Sequence, residues 1–242
     1  MQTAKKMMSR GGIFIILLLA ISSVAVAVSS SSRLKIEELP RDNFVNLKLE
    51  INKTNDRLIL STASGFAYRT IDDYTYILTA QHFCIPIQEL SNMSEIEGAS
   101  VVLTNFNNIQ AFPVFIDYTS DLCLLRVDAG VIDIRNMKVA DEMPVEGSRV
   151  LALSAPMGIS EDGVVLQFEG FYSGCNVYDI CYFTIPSTGG SSGSIILNQH
   201  GKIVSMIQRT VVDFNSVSLG VGNESINLFL ESASQNLGVD LL

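Results

Sequence analysis

The chain has 242 residues, 48% of them hydrophobic and 17% charged, enough to build one large core or two small ones and too apolar for a disordered protein. Its 25 Asp+Glu outnumber 16 Lys+Arg for a net charge of −9, and three of the basic residues fall in the first ten positions. So acidic a body argues against nucleic acid as its main partner.

Lys5, Lys6 and Arg10 form a positive start, Ile13 to Ile21 an apolar middle, and Ser22 to Ala27 a small-residue end in which Ala25 and Ala27 satisfy a cleavage pattern. Residues 11–28 also form an uncharged run at the lower limit for a membrane-spanning helix. Residues 1–28 therefore read either as a cleaved signal peptide or as a retained signal-anchor; both export the rest of the chain. The Ser-rich and then charged stretch 29–43, with Pro40, reads as a mobile tether.

From Phe44 the pattern turns to strands at short spacing: Phe44 to Ile51, Arg57 to Ser61, Gly65 to Tyr68, Tyr74 to Thr79, Ser94 to Thr104, Ala111 to Tyr118 and Leu122 to Val127. Such spacing means a barrel or a sandwich. A stretch of weak periodicity at 131–147 divides this set (44–130) from a second one (148–242) with strands at Arg149 to Ser154, Gly163 to Phe168, Cys181 to Ile185, Ser194 to Leu197, Ile203 to Gln208 and Ser216 to Val221. The tail from Asn223 reads as a helix that Asn223 caps, with Ile226, Phe229, Leu230 and Ala233 on one buried face.

The polar run Pro186 to Ser194 lies between two apolar strands, with glycines at fixed offsets around one hydroxyl. A flexible loop has no use for that spacing, whereas a serine nucleophile needs a sharp turn and N–H groups aimed at one point. On this reading Ser192 is the nucleophile, and the amides of Gly190 and Ser192 form an oxyanion hole. Serine also needs a base, and the chain has two histidines. His200 falls in the turn Asn198-Gln199-His200-Gly201, at the far end of the hairpin that starts at the serine loop. His82 instead stands at a strand exit. Asp121 opens an otherwise apolar strand, where a carboxylate needs a partner, and a histidine is the natural one.

Thr79-Ala80-Gln81-His82, Asp121-Leu122-Cys123-Leu124-Leu125 and Gly190-Ser191-Ser192-Gly193-Ser194 resemble the three active-site stretches of trypsin-like serine proteases, and in the same order. Ser64-Gly65-Phe66-Ala67, leading into Tyr76 to Thr79, is similar to the bacterial and viral branch that includes the high-temperature-requirement proteases. The resemblance spans about residues 43–235. It implies an all-β fold of two six-stranded antiparallel β-barrels with a C-terminal helix, without a PDZ domain, and a triad of His82, Asp121 and Ser192 in the cleft between the barrels. It implies a peptide or protein substrate and no cofactor.

Three departures stand out. Ile195 occupies a usual proline position, Ser194 a usual glycine, and Ser191 the place of the aspartate that pairs with a new N-terminus in digestive relatives. The last makes activation by that route unexpected. No acid lies within Pro186 to Ser191, so a preference for arginine or lysine depends on Asp179 or Asp213 folding toward the pocket. A catalytically inactive, partner-binding barrel is the main alternative. An α/β-hydrolase elbow is excluded by the order His, Asp, Ser and by Ser194 where its final glycine belongs.

Four cysteines allow three pairings. Five residues separate Cys175 from Cys181, which suits a bridge across a hairpin. Cys84 and Cys123 each follow a triad candidate by two, and read either as a second bridge or as two buried thiols. Their spacing does not suit zinc, and no metal is expected.

Overall fold

Along a β-strand one side chain points into the barrel and the next out of it, and in the strands around Ile77, Leu124 and Leu151 both directions lead to a core. The computed structural model describes residues 39–53, 56–90, 98–160, 164–211 and 213–242. The signal or anchor segment 1–28 and the tether up to residue 38 lie outside the described residues.

Strands β1 (Phe44–Lys53), β2 (Asp56–Ile71), β3 (Tyr74–Ala80), β4 (Gly98–Leu103), β5 (Ile109–Asp117) and β6 (Leu122–Asp128) close into a first antiparallel barrel in the order β1-β2-β3-β6-β5-β4. Strands β7 (Arg149–Ser154), β8 (Leu166–Cys175), β9 (Ile180–Phe183), β10 (Ile195–Leu197), β11 (Ile203–Val211) and β12 (Phe214–Gly222) close a second, in the order β10-β11-β12-β9-β8-β7. Helix α1 (Gln81–Leu90) follows β3, and α2 (Asn223–Leu237) follows β12.

β3 and β6 explain the continuous apolar runs of the sequence. Ile77, Cys123 and Leu125 point into the first barrel, while Tyr76, Leu78, Leu122 and Leu124 join a core shared with the second. The second barrel answers in kind: Val150, Ala152, Ile196 and Val204 fill its interior, and Leu151, Leu153, Ile195 and Met206 meet the shared core. A slip of one residue in any of these strands would exchange the two sets, so register is strongly specified.

Helix α2 lies on the shared core through Ile226, Phe229, Leu230 and Ala233, the face read from its sequence, with the Phe229 ring 5.3 Å from Phe115. Burying side chains such as Phe229 and Leu230 contributes roughly 1.5–3 kcal/mol each. It ends at Gly238, whose φ of 69° suits a left-handed cap and whose N–H donates to the Ser234 carbonyl.

Four local expectations change. Arg57 to Ser61 and Gly65 to Tyr68 are one strand, β2, that continues across both. Asn223 is the first helical residue and makes no cap bond; its Nδ2 donates to the Ala140 carbonyl at 2.9 Å, fastening α2 to the segment between the barrels. The end of the tether is docked, because Leu39 and Asn43 are buried and Asn43 Nδ2 donates to the carbonyls of Ala67 and Arg135. Helix α1 was not expected; it forms with Pro86 inside it.

Candidate active site

β3 and β6 are paired along their length, with Ala80 opposite Leu122, so the residues just beyond each end arrive side by side. The next residue on one chain is Gln81, opening α1, and on the other Asp121. Gln81 N–H donates to the Asp121 carbonyl at 3.1 Å, and His82 N–H to Asp121 Oδ1 at 2.9 Å. His82 Nδ1 lies 3.1 Å from Oδ1 and 3.0 Å from Oδ2. An ionised carboxylate only accepts, so Nδ1 carries the proton and the lone pair of the neutral ring sits on Nε2. The Cys84–Cys123 disulfide joins α1 to β6 two residues beyond each member of the pair.

Asp121 has a φ of 54° and closes the turn after β5. That turn is built locally: Asp117 accepts from Thr119 N–H at 2.9 Å and from the Ser120 hydroxyl at 2.6 Å. Burial alone would push the Asp117 carboxyl up, but these bonds together outweigh it and hold the group below its ordinary value. From the second barrel, Gln208 Nε2 donates to the carbonyls of Ser120 and Asp121. Gln208 is the extra residue of a bulge between Ile207 and Arg209 in β11, a device that turns a side chain out of the ladder's alternation.

The serine loop runs between β9 and β10. Gly190 and Gly193 have φ of 90° and 87°, and a Cβ on Gly193 would lie 1.9 Å from the Ser64 carbonyl oxygen, so glycine is required there. Ser64, on β2 of the first barrel, grips the loop twice and ties it to Ala155, after β7. Its N–H donates to the Ser192 carbonyl at 2.8 Å, its hydroxyl donates to the Gly190 carbonyl at 2.9 Å, and the same hydroxyl accepts from Ala155 N–H at 3.0 Å. Thr79 in turn donates to the Ser64 carbonyl at 2.8 Å.

Two further bonds orient peptide planes. The Gly189 carbonyl accepts from Met157 N–H at 2.6 Å and the Ser191 carbonyl from Ser194 N–H at 3.1 Å. In a trans peptide the N–H points opposite the carbonyl. The N–H groups of Gly190 and Ser192 are thus turned the other way, and among the described residues neither has a partner. Ser192 is half-buried, and its hydroxyl donates to the Gln208 carbonyl at 3.3 Å; among the described residues it has no bond to His82. Ser191 is buried, its Oγ accepting from Thr188 N–H within the loop.

Beside His82 opens a cavity of about 440 Å³ lined by Gln81, His82, Tyr118, Thr119, Asp121, Gln208 and Arg209. β10 meets β11 only as far as Met206, and Ile207 is bonded by Gly193 and Ser194. From Gln208 onward, this edge of β11 has no strand beside it among the described residues, and an extended chain could be added there.

Residues 63–206 match the model of the trypsin-like peptidase domain. The chain belongs to this family. No curated protein matches it in sequence. Among solved structures it is similar to a serine endoprotease from Yersinia pestis, with a TM-score of 0.60 and 18% identity over 81% of this chain and 64% of that one. It is also similar to Rv3671c from M. tuberculosis H37Rv in an inactive form, with a TM-score of 0.56 and 14% identity over 81% of this chain and 88% of that one. The chain spans less than two thirds of the Yersinia protein, and at these identities the likeness is one of fold.

Against this trypsin-like fold the remaining expectations can be placed. His200 lies in the exposed turn between β10 and β11, at the other end of β10 from the serine loop, with its N–H on Asn198 Oδ1. Cys175 and Cys181 are directly opposed on β8 and β9 and form the second disulfide. With Asp179 they bring three potential ligand atoms together, but both sulfurs are spent on each other. Asp179 accepts the Ser225 hydroxyl at 2.5 Å, and Asp213 sits exposed in the turn between β11 and β12; among the described residues neither acid is bonded to the serine loop. Ser64, Met157 and Gln208 were missed as site residues. Ser64 alone had a signal, its place at the head of the Ser-Gly-Phe-Ala stretch.

Proposed function

We propose that the chain is a serine endopeptidase that cleaves peptide bonds through an acyl-enzyme. The observation that carries this reading is the His82–Asp121 pair at 3.0 Å, together with a loop whose Gly190 and Ser192 amides have no partner among the described residues. Ser192 Oγ attacks the substrate carbonyl carbon and gives its proton to His82 Nε2, while Asp121 holds the ring's tautomer and steadies the imidazolium. The two amides hold the oxyanion. His82 then protonates the leaving amine nitrogen, the C–N bond breaks, and water repeats the sequence on the ester to release the acid and restore the serine.

The hydroxyl must first leave the Gln208 carbonyl, a side-chain rotation that substrate N–H binding to that carbonyl would favour. That same bond is what favours the alternative, an inactive domain that binds a peptide along β11. The absence of an acid in Pro186 to Ser191 speaks against cleavage after arginine or lysine. Two disulfides and the positive-then-apolar N-terminus support export, either secreted or periplasmic, or anchored through residues 11–28. Among the described residues no helix is long and apolar enough to cross a membrane. Fluorophosphonate labelling followed by peptide mapping tests the reading. An adduct on Ser192 that His82→Ala abolishes supports it; a folded protein that takes no label and cleaves no peptide is the inactive alternative.

A further inference from the structure

We infer that Arg209 makes this a peptidase selective for an acidic side chain, aspartate or glutamate, on the residue immediately before the one whose carbonyl is attacked. The inference rests on the endopeptidase reading above. Ser192 Oγ lies 3.3 Å from the Gln208 carbonyl, so a substrate residue attacked by that oxygen has its own N–H at the same carbonyl. Chain added to the open edge of β11 continues the antiparallel order of the barrel. With the attacked residue opposite Gln208, the residue before it falls opposite Arg209. Directly opposed residues on antiparallel strands project to the same face, roughly 4.5–5.5 Å apart at Cβ.

That face is the cavity beside His82. Arg209 lines it with Tyr118, and also lines the adjoining cavity of about 380 Å³ that contains Tyr178 and Asp179. Among the described residues Arg209 forms no ion pair, in a chain with 25 acids to 16 basic groups. The nearby carboxylates are engaged elsewhere, Asp121 with His82 and Asp179 with the Ser225 hydroxyl. An exposed guanidinium at the substrate edge offers a planar fork that a carboxylate fits with two hydrogen bonds. A neutral amide accepts a weaker bond, and a lysine is repelled.

The full chain is incubated with a peptide library carrying Glu, Gln and Lys in equal share at every position, and cleavage sites are read by mass spectrometry. Glutamate should exceed glutamine by about tenfold in kcat/KM at the position before the attacked residue, the worth of one charge-assisted bond. The excess should shrink in 1 M salt, where the Debye length is about 3 Å. Arg209→Gln should bring the ratio to about one, and Arg209→Glu should invert it toward lysine. Equal cleavage with Glu and with Gln at the position before the attacked residue by the unaltered protein, or a preference that survives Arg209→Gln, overturns the inference while leaving the peptidase intact. No cleavage at all, together with no fluorophosphonate adduct on Ser192, overturns the peptidase reading and this inference with it.

Discussion

The two barrels contribute to the proposed site by different physical means. The first supplies His82 and Asp121 from the paired ends of neighbouring strands, where ladder register, two backbone-to-acid bonds and a disulfide fix both groups. The second supplies Ser192 from an irregular loop whose shape depends on two left-handed glycines and on Ser64, a residue of the other barrel. One half of the site is therefore built where its residues stand; the other is held by its neighbour. The pairing of barrels is a condition for the serine loop's geometry.

The comparison is sharpened most by removing one chemical group from each half. Ser192→Ala should lower kcat/KM by at least about 10³-fold with no change in melting temperature, since its hydroxyl makes one long bond and fills no core. His82→Ala should do the same, since the general base is then missing. His200→Ala should leave hydrolysis unchanged. Peptide hydrolysis beside thermal melts decides these; a loss with His200→Ala equal to that with His82→Ala would undo the assignment of roles.

Next in size is the difference between the disulfides. Cys84–Cys123 closes a span of 39 residues and Cys175–Cys181 one of 6, so on the chain-entropy model they stabilise by about 4 and about 2 kcal/mol respectively. Replacing each pair by serine or alanine and measuring urea unfolding tests the ordering. Loss of Cys84–Cys123 should also lower kcat, because it releases α1 from β6 beside His82; an equal fall in kcat from the loss of Cys175–Cys181 would mean that the first half is not independently braced.

Legibility in the sequence divides along the same line. His82, Asp121 and Ser192 stand out because the chemistry restricts residue type, and the apolar face of α2 because helical spacing repeats. The supports of the serine loop do not stand out. Ser64 meets Gly190 across 126 positions and Ala155 across 91, and Gln208 meets Asp121 across 87. A hydroxyl or amide at such range leaves no local pattern. Local rules also fail where tertiary burial overrides them: Leu39 to Asn43 has a tether's composition yet packs under β2, and α1 forms despite Pro86.

Ser64→Ala tests the dependence of the second half on the first at moderate cost. The change strips a partner from two buried backbone groups, Ala155 N–H and the Gly190 carbonyl, at about 1–3 kcal/mol for a group left unsatisfied. Losing the grip on the Gly190 carbonyl frees the peptides that aim the oxyanion amides, so kcat should fall by roughly tenfold or more with KM little changed. Ser191→Ala removes only an acceptor for Thr188 N–H within the loop and should be milder on kcat. The reverse order would show that the loop holds its own shape.

The smallest effect belongs to Asp117, which shapes the turn that delivers Asp121. Burial favours its neutral form, but the Ser120 hydroxyl and the Thr119 and Ser120 amides outweigh burial, and its folded pKa is lowered. A carboxyl lowered on folding binds fewer protons folded than unfolded, so its contribution is complete above the unfolded aspartate value of about 3.9 and is lost as pH falls through the lower folded value. Asp117→Asn should therefore be less stable than the parent by a constant margin above about pH 5, and that margin should shrink below about pH 4. Urea unfolding of both proteins between these limits measures it. A margin that widens on acidification would mean that the turn draws no stability from the carboxylate's charge, and that the first half of the site is shaped by its strand ends and disulfide alone.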